Sequence, residues 1–173
     1  MRTKLGNPDV ARASANSNDL AMLPSMAVKR ASLLAEVLAV AQQEGLEHWV
    51  VDDLMTDDHL AVEGGIWLPT RGAIRLPAMK KSVITMELPI QASKLAFVYL
   101  DCRCADELAL DVKLGGKFKS VGFARTDALG HVSKWASDLV TAGSAGDVTL
   151  RVTYDRTALE DSDHFLGYGV AWS

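Results

Sequence analysis

VTLRVTY, at residues 148–154, decides the fold class of this chain. Its apolar side chains stand at every second position, and threonine or arginine lies between them. Successive side chains of a β-strand point to opposite faces, so the alternation predicts a strand with one buried and one exposed face. The same alternation recurs in three other segments, residues 82–90, 108–114 and 166–172. The second half of the chain is therefore predicted to be built from strands.

Two of the predicted strands carry information about the layers beside them. Leu95 to Cys104 is apolar on both faces for much of its length, as expected of a strand in the centre of a sheet. In residues 166–172 the core face is formed by Leu166, Tyr168, Val170 and Trp172, and the other face holds only glycine and alanine. We expect another layer to approach that small-residue face closely.

Shorter apolar runs predict further strands at residues 48–51, 66–68 and 73–76. Pro69 and Pro77 confine the last two to sheet edges or strand ends. The total is seven to nine short strands without a regular alternation of strands and helices. This pattern predicts a mainly β fold, an antiparallel β-sandwich that is jelly-roll-like or immunoglobulin-like.

Turn residues divide the strands from one another. A turn is expected at residues 91–93, and Gly115-Gly116 predicts a hairpin. A two-residue loop would pair Val112 with Lys119 and place charge on the apolar face. A three-residue loop pairs Leu114 with Phe118 and keeps that face free of charge, so it is the predicted register. Residues 125–146 are predicted to be a long connection.

Residues 25–44 are predicted to form a helix. Ser25 follows Pro24 and is a candidate N-cap, and Gly45 is a natural C-terminal stop. One apolar stripe has helical spacing and consists of Leu33, Leu34, Val37, Leu38 and Ala41. Two interpretations stay open, because the stripe can pack on the sandwich or on a partner.

Residues 1–24 are rich in Asn, Ser and Ala and offer little apolar surface. We expect them to form an extended arm that is ordered by contacts outside its own sandwich. The predicted division is therefore an arm over 1–24, a helix over 25–45 and a β-sandwich domain over 46–173.

Composition excludes several classes of function. The net charge of -4 and the absence of a dense Lys/Arg run argue against nucleic-acid binding as the main role. The first thirty residues hold no apolar block like a signal peptide, and no stretch approaches the roughly 18 apolar residues that span a bilayer. We therefore expect a protein without a signal peptide, in a virion or the cytoplasm.

The motifs of common active sites are absent from the sequence. The four histidines fall in separate segments, and there is no His-Glu-x-x-His, Gly-x-Ser-x-Gly or phosphate-loop spacing. Cys102 and Cys104 are expected to be reduced, partly buried thiols. These observations predict no catalytic centre, no cofactor and no established metal site.

Two weaker site predictions remain. Asp155, Asp161 and Asp163 cluster in the segment 155–164, and clustered carboxylates in a sandwich loop can bind calcium. Among the four tryptophans, Trp135, within the predicted connection, is the best candidate for an exposed ring that contacts a ligand, although a buried structural role is the favoured interpretation for each of the four.

Architecture suggests two functions. The first is a non-enzymatic structural or assembly protein, a phage virion subunit of capsid, decoration or fibre and tail type, which contacts neighbouring subunits through residues 1–45. The alternative is a carbohydrate- or ligand-binding β-sandwich module, with Trp135 and residues 155–164 at one end. Both rest on analogy of fold alone.

Overall fold

The computed structural model describes residues 17–52, 60–103, 106–129 and 132–173, with the side chains of all but 17–29 and 127–129. The fold is a β-sandwich of two antiparallel sheets with, in this described part, a single helix. The elements are α1 (Ser17–Glu44), β1 (His48–Asp52), β2 (Leu60–Glu63), β3 (Ile66–Leu68), β4 (Ala73–Leu76), β5 (Lys81–Asp101), β6 (Leu108–Leu114), β7 (Phe118–Val121), β8 (Phe123–Leu129), β9 (Val132–Ser137), β10 (Val140–Asp155), β11 (Ser162–His164) and β12 (Leu166–Trp172). The predicted mainly β fold is confirmed.

The long strand β5 organises the larger sheet. Along one side it pairs first with β10 and then with β9, and along the other side first with β2 and then with β12. β1 lies beyond β12, β8 lies beyond β9, and β6 and β7 lie beyond β10. The smaller sheet has the order β11-β4-β3. Twelve strands are described, which is more than the seven to nine expected.

Two predicted breaks are strands instead. The turn expected at residues 91–93 is wrong, because β5 continues through it with two register shifts against β10. The first shift places extra residues in β10 between Thr141 and Gly146, and the second places Pro89 and Ile90 as extra residues in β5. The connection expected over 125–146 is also wrong, since this segment contains most of β8, all of β9 and the start of β10. Many residues of this segment are small or polar, so apolar side chains do not recur at every second position. The sequence therefore did not identify these strands.

The main core lies on one face of the bent larger sheet and beneath the smaller sheet. Tyr154, Tyr168 and Trp172 are buried in it, as the alternation predicted. Its other large buried side chains come from β4, β5, β6, β10 and β12 and include Ile74, Ile84, Met86, Phe97, Leu110, Leu150 and Val170.

Helix α1 covers the opposite face of β5 and β12. Leu33, Val37 and Ala41 form a second buried cluster with Ala96, Val98 and Leu100 of β5. This contact explains why β5 is apolar on both faces. It also confirms the close layer expected over residues 166–172, because a Cβ added to Gly169 would lie 2.1 Å from Val37 Cγ2.

The helix starts earlier than its sequence suggested. It begins at Ser17, so Pro24 and Ser25 lie inside it, and the N-cap predicted at Ser25 is wrong. The predicted end is confirmed, since α1 stops at Glu44 and Gly45 adopts a φ of 65°.

The register predicted for the hairpin is wrong. Lys113 pairs with Phe118 and Val112 pairs with Lys119, which is the register of the two-residue loop. β7 is an edge strand beyond the core, so Lys119 reaches solvent although it shares a face with Val112. Phe118 lies on the outer face, 37% exposed, with the guanidinium of Arg151 at 4.1 Å from its ring centre.

Candidate functional site

A cluster of buried polar side chains lies where the two sheets meet. His164 Nδ1 is 2.9 Å from both carboxylate oxygens of Asp101, and the hydroxyl of Tyr154 donates to Asp101 Oδ2 at 2.7 Å. Tyr99 and Tyr154 share a hydroxyl contact of 2.8 Å, and Ser162 Oγ is 2.6 Å from His164 Nε2. Asp101, His164 and both tyrosines are buried. A carboxylate in such a place needs several donors, and these side chains supply them.

Strand ends position every member of this cluster. Asp101 is the last residue of β5, Tyr154 is the last but one of β10, and His164 ends β11 of the smaller sheet. The backbone N–H of Arg103 donates to Asp101 Oδ1 at 2.7 Å and fixes the chain as it leaves β5. The cluster therefore ties the smaller sheet to the larger one.

The order hydroxyl, imidazole, carboxylate in Ser162, His164 and Asp101 is that of an activated nucleophile. Sequence reasoning missed it because Asp101 and His164 are 63 residues apart, and only Ser-x-His within one strand hinted at it. Acyl transfer also requires oxyanion donors and an open cavity at the hydroxyl. A cleft of about 450 Å³ lies at the tip of the hairpin and is lined by other residues, among them Gly115 and Gly146. We interpret the cluster as a structural clamp.

The three carboxylates predicted to bind calcium do not converge. Asp163 Oδ2 lies 2.7 Å from Arg71 Nη1, and Asp163 Oδ1 accepts from Arg75 Nε at 2.8 Å. The hydrogen bond from Arg75 lowers the pKa of Asp163 and raises that of Arg75. Asp161 accepts from the backbone of Ala78 at 2.8 Å, and Asp155 is exposed at the end of β10. No group of three or more potential metal ligands occurs among the described residues.

Trp135, the candidate for an exposed ring, is fully buried in β9, the interpretation that was favoured for each tryptophan. Trp135 stacks on Phe123 with 6.4 Å between ring centres. The guanidinium of Arg125 lies 5.2 Å from the centre of the Trp135 ring. The exposure prediction followed from the wrong assignment of residues 125–146 to a connection. Cys102 is buried against α1, as expected. Cys104, His59 and His131 lie outside the described residues.

An exposed apolar surface lies beside the helix instead. A helix turns by about 100° per residue, so Ser32 and Glu36 flank the buried line of Leu33 and Val37 on one side, and Leu34 and Leu38 flank it on the other. Lys134 of β9 contacts Ser32 at 3.2 Å and Glu36 at 3.1 Å. β9 and β12 lie on opposite sides of β5, so Leu34 and Leu38 lie towards β12 and its neighbour β1.

Trp49 extends this surface onto β1. It pairs with Ala171, and Val51 pairs with Gly169, so Trp49 stands on the face of the sheet that carries the helix. Leu34, Leu38 and Trp49 are 40%, 38% and 45% exposed. We call these three side chains the outer patch. The sequence placed Leu34 and Leu38 in one stripe with Leu33 and Val37, and the structure divides that stripe into a covered half and an exposed half.

Comparison with known proteins identifies no family for this chain. No protein-family model matches the chain, and no curated protein matches it. Among solved structures, the catalytic domain of a GH87 alpha-1,3-glucanase in complex with tetrasaccharides is 8% identical, with a TM-score of 0.36 over 72% of this chain and 28% of that one. The secreted serine protease VesC from Vibrio cholerae is 20% identical, with a TM-score of 0.27 over 82% of this chain and 26% of that one. The chain spans less than a third of either protein, and at these TM-scores neither similarity assigns a function.

Proposed function

We propose that this protein is a non-enzymatic structural subunit that assembles with further copies of itself or with other subunits. The outer patch carries the proposal. Its three apolar side chains remain exposed next to Leu33 and Val37, which the sandwich covers almost completely. Contiguous exposed apolar side chains are typical of surfaces that a partner covers. The patch includes part of the 1–45 segment that the sequence assigned to neighbour contacts.

We propose a phage virion as the setting, with the protein as a capsid, decoration, fibre or tail subunit. The support is the order of elements, in which a polar N-terminal segment and a helix precede a compact sandwich. Many virion proteins share this order, and the argument is one of architecture. No helix among the described residues is long and apolar enough to cross a membrane.

The second candidate is a carbohydrate- or ligand-binding module. One observation favours it, since Trp49 presents a partly exposed ring on a strand. Such rings serve as platforms for sugars as well as for protein partners. The buried Trp135 cannot serve as that platform, and the described carboxylates do not converge beside Trp49.

Mass measurement of the native protein separates the two functions. We expect the wild type to be larger than the 18.6 kDa chain, and the double variant Leu34→Glu/Leu38→Glu to return to the mass of one chain with an unchanged melting temperature. Leu159→Glu is the matched control, because Leu159 is 84% exposed but lies apart from the patch. A wild type that is monomeric at all concentrations and binds oligosaccharide through Trp49 would replace the assembly proposal with the second candidate.

A further inference from the structure

Within the described part of the chain, strand β1 is an edge of the larger sheet, and it carries Trp49 of the outer patch. Its five residues pair with β12 on one side, from His48 with Trp172 to Asp52 with Tyr168. Among the described residues no strand pairs with its other side. Edge strands are commonly protected by lysine, proline or a bulge, and residues 48–52 have none of these. This edge is therefore able to accept another strand.

Self-pairing of this edge is complementary in one particular register. When two copies of β1 run antiparallel with a two-fold axis at Val50, all five residues are paired. His48 of each copy then stands opposite Asp52 of the other, and Trp49 stands opposite Val51. An imidazole opposite a carboxylate is a favourable cross-strand pair, and so is an aromatic ring opposite a β-branched side chain.

Other registers of self-pairing lose this complementarity. A shift of the axis to Val51 sets Trp49 opposite Asp53, and an axis between Trp49 and Val50 sets Glu47 opposite Asp52. An axis between two residues also joins the helix-bearing face of one copy to the core face of the other, because side chains alternate between faces. Only an axis through a residue keeps both helices on one face, where the outer patches of the two copies meet.

We propose that a second copy of this chain pairs antiparallel with β1 about a two-fold axis at Val50, so that the larger sheet continues across the interface. The inference rests on the proposed assembly function and names its partner and contact. A two-fold contact of this kind is isologous, so each favourable pair occurs twice. Trp49, Leu34 and Leu38 of both copies are covered at the same seam.

Charge reversal tests the register. His48→Asp sets two carboxylates opposite each other twice per dimer, and Asp52→Lys sets two cationic or donor groups opposite each other twice. We expect each single variant to raise the dissociation constant roughly tenfold or more. A mixture of the two variants should associate as strongly as the wild type, since a heterodimer pairs Asp at 48 with Lys at 52 and retains one native pair. Residues 48 and 52 of one strand are about 13 Å apart, so this rescue cannot occur within a chain.

Sedimentation equilibrium of the full chain measures these constants, and thermal melts confirm that each variant is folded. Lys119→Asp is the matched control, because it changes charge on the edge strand β7 at the other end of the sheet and should leave association unchanged. The differently tagged single variants should form heterodimers on mixing. A wild type that associates while both single variants associate equally well overturns the register but leaves the assembly function standing. A wild type that never associates overturns both.

Discussion

At the scale of single residues, Gly169 of β12 and Val37 of α1 make the close approach that seats the helix on the sheet. An added Cβ at Gly169 would lie 2.1 Å from Val37 Cγ2, far inside contact distance. We expect Gly169→Ala to lower the free energy of unfolding by about 1–3 kcal/mol, because the helix must move away from the sheet. Gly143→Ala is the control, since no atom lies within 4 Å of its added Cβ. Equal melting temperatures for the two variants would contradict this packing.

The ion pair of Asp163 with Arg75 predicts an acid-dependent loss of stability. The folded protein holds the pKa of Asp163 below its usual value, so the unfolded chain binds this proton more readily. The pair therefore makes its full contribution to the free energy of unfolding above about pH 4. This contribution is lost as the pH falls through the lowered pKa of Asp163 in the folded protein. In urea titrations from neutral to acid pH, the free energies of unfolding of Asp163→Asn and of the wild type should converge at low pH. If the difference in unfolding free energy between the two proteins stays constant with pH, the destabilisation by Asp163→Asn does not come from protonation of Asp163.

Ser162 provides a direct test of the non-enzymatic proposal. Its hydroxyl contacts His164, but the contacts of the cluster are those of a satisfied buried network, with Asp101 also bound by Tyr154 and Arg103. We expect a fluorophosphonate probe to leave Ser162 unlabelled, as shown by mass spectrometry of the intact protein. Labelling that is lost in both Ser162→Ala and His164→Gln would identify a reactive serine and refute the proposal.

At the scale of elements, the β6–β7 hairpin separates the two possible registers by stability. Val112 is buried in the main core, whereas Phe118 lies on the outer face beside Arg151. Val112→Asp should cost several kcal/mol because it buries an unpaired charge. Phe118→Asp should cost far less, close to Lys113→Asp on the same face. Denaturant unfolding measures all three, and a Phe118→Asp variant as unstable as Val112→Asp would restore the register predicted from burial alone.

The elements also show what the sequence could predict. β10 and β12 were predictable because full burial of one face leaves an uninterrupted period of two, and the end of α1 was predictable from Gly45. The hairpin register was not, because β7 lies past the edge of the core and burial no longer restricts Lys119 there. β9 was hidden since Ser133, Lys134 and Ser137 interrupt its pattern.

The candidate sites also contain some features that the sequence predicts and others that depend on the fold. Helical spacing predicted the stripe that contains Leu34 and Leu38, but spacing cannot tell which part of a stripe its own domain covers. Trp49 was recognised as part of a strand, and its exposure follows only from the position of β1 at the sheet edge. The link between Asp101 and His164 depends on the meeting of two sheets, which no local pattern encodes.

At the scale of the whole molecule, β12 holds the two cores together. It lies between β1 and β5, with one face in the main core and the other against α1. Every residue of Leu166–Trp172 is buried. Burial of its four large side chains contributes roughly 1.5–3 kcal/mol each before the entropy cost, which is comparable with the net stability of a whole domain. Loss of this strand would also remove the partner of β1 and uncover Leu33 and Val37.

Removal of residues 165–173 should therefore unfold the protein, because neither β1 nor α1 keeps a surface on which to pack. Circular dichroism during heating measures this, and we expect the truncated chain to show no cooperative transition. The control is removal of residues 1–16, which lie before α1 and should leave a cooperative melt. If assembly occurs through β1, the first truncation should abolish it through unfolding, whereas Leu34→Glu/Leu38→Glu should abolish it in a folded chain. A truncated protein that melts near the full-length value would show that β12 is not central to the fold.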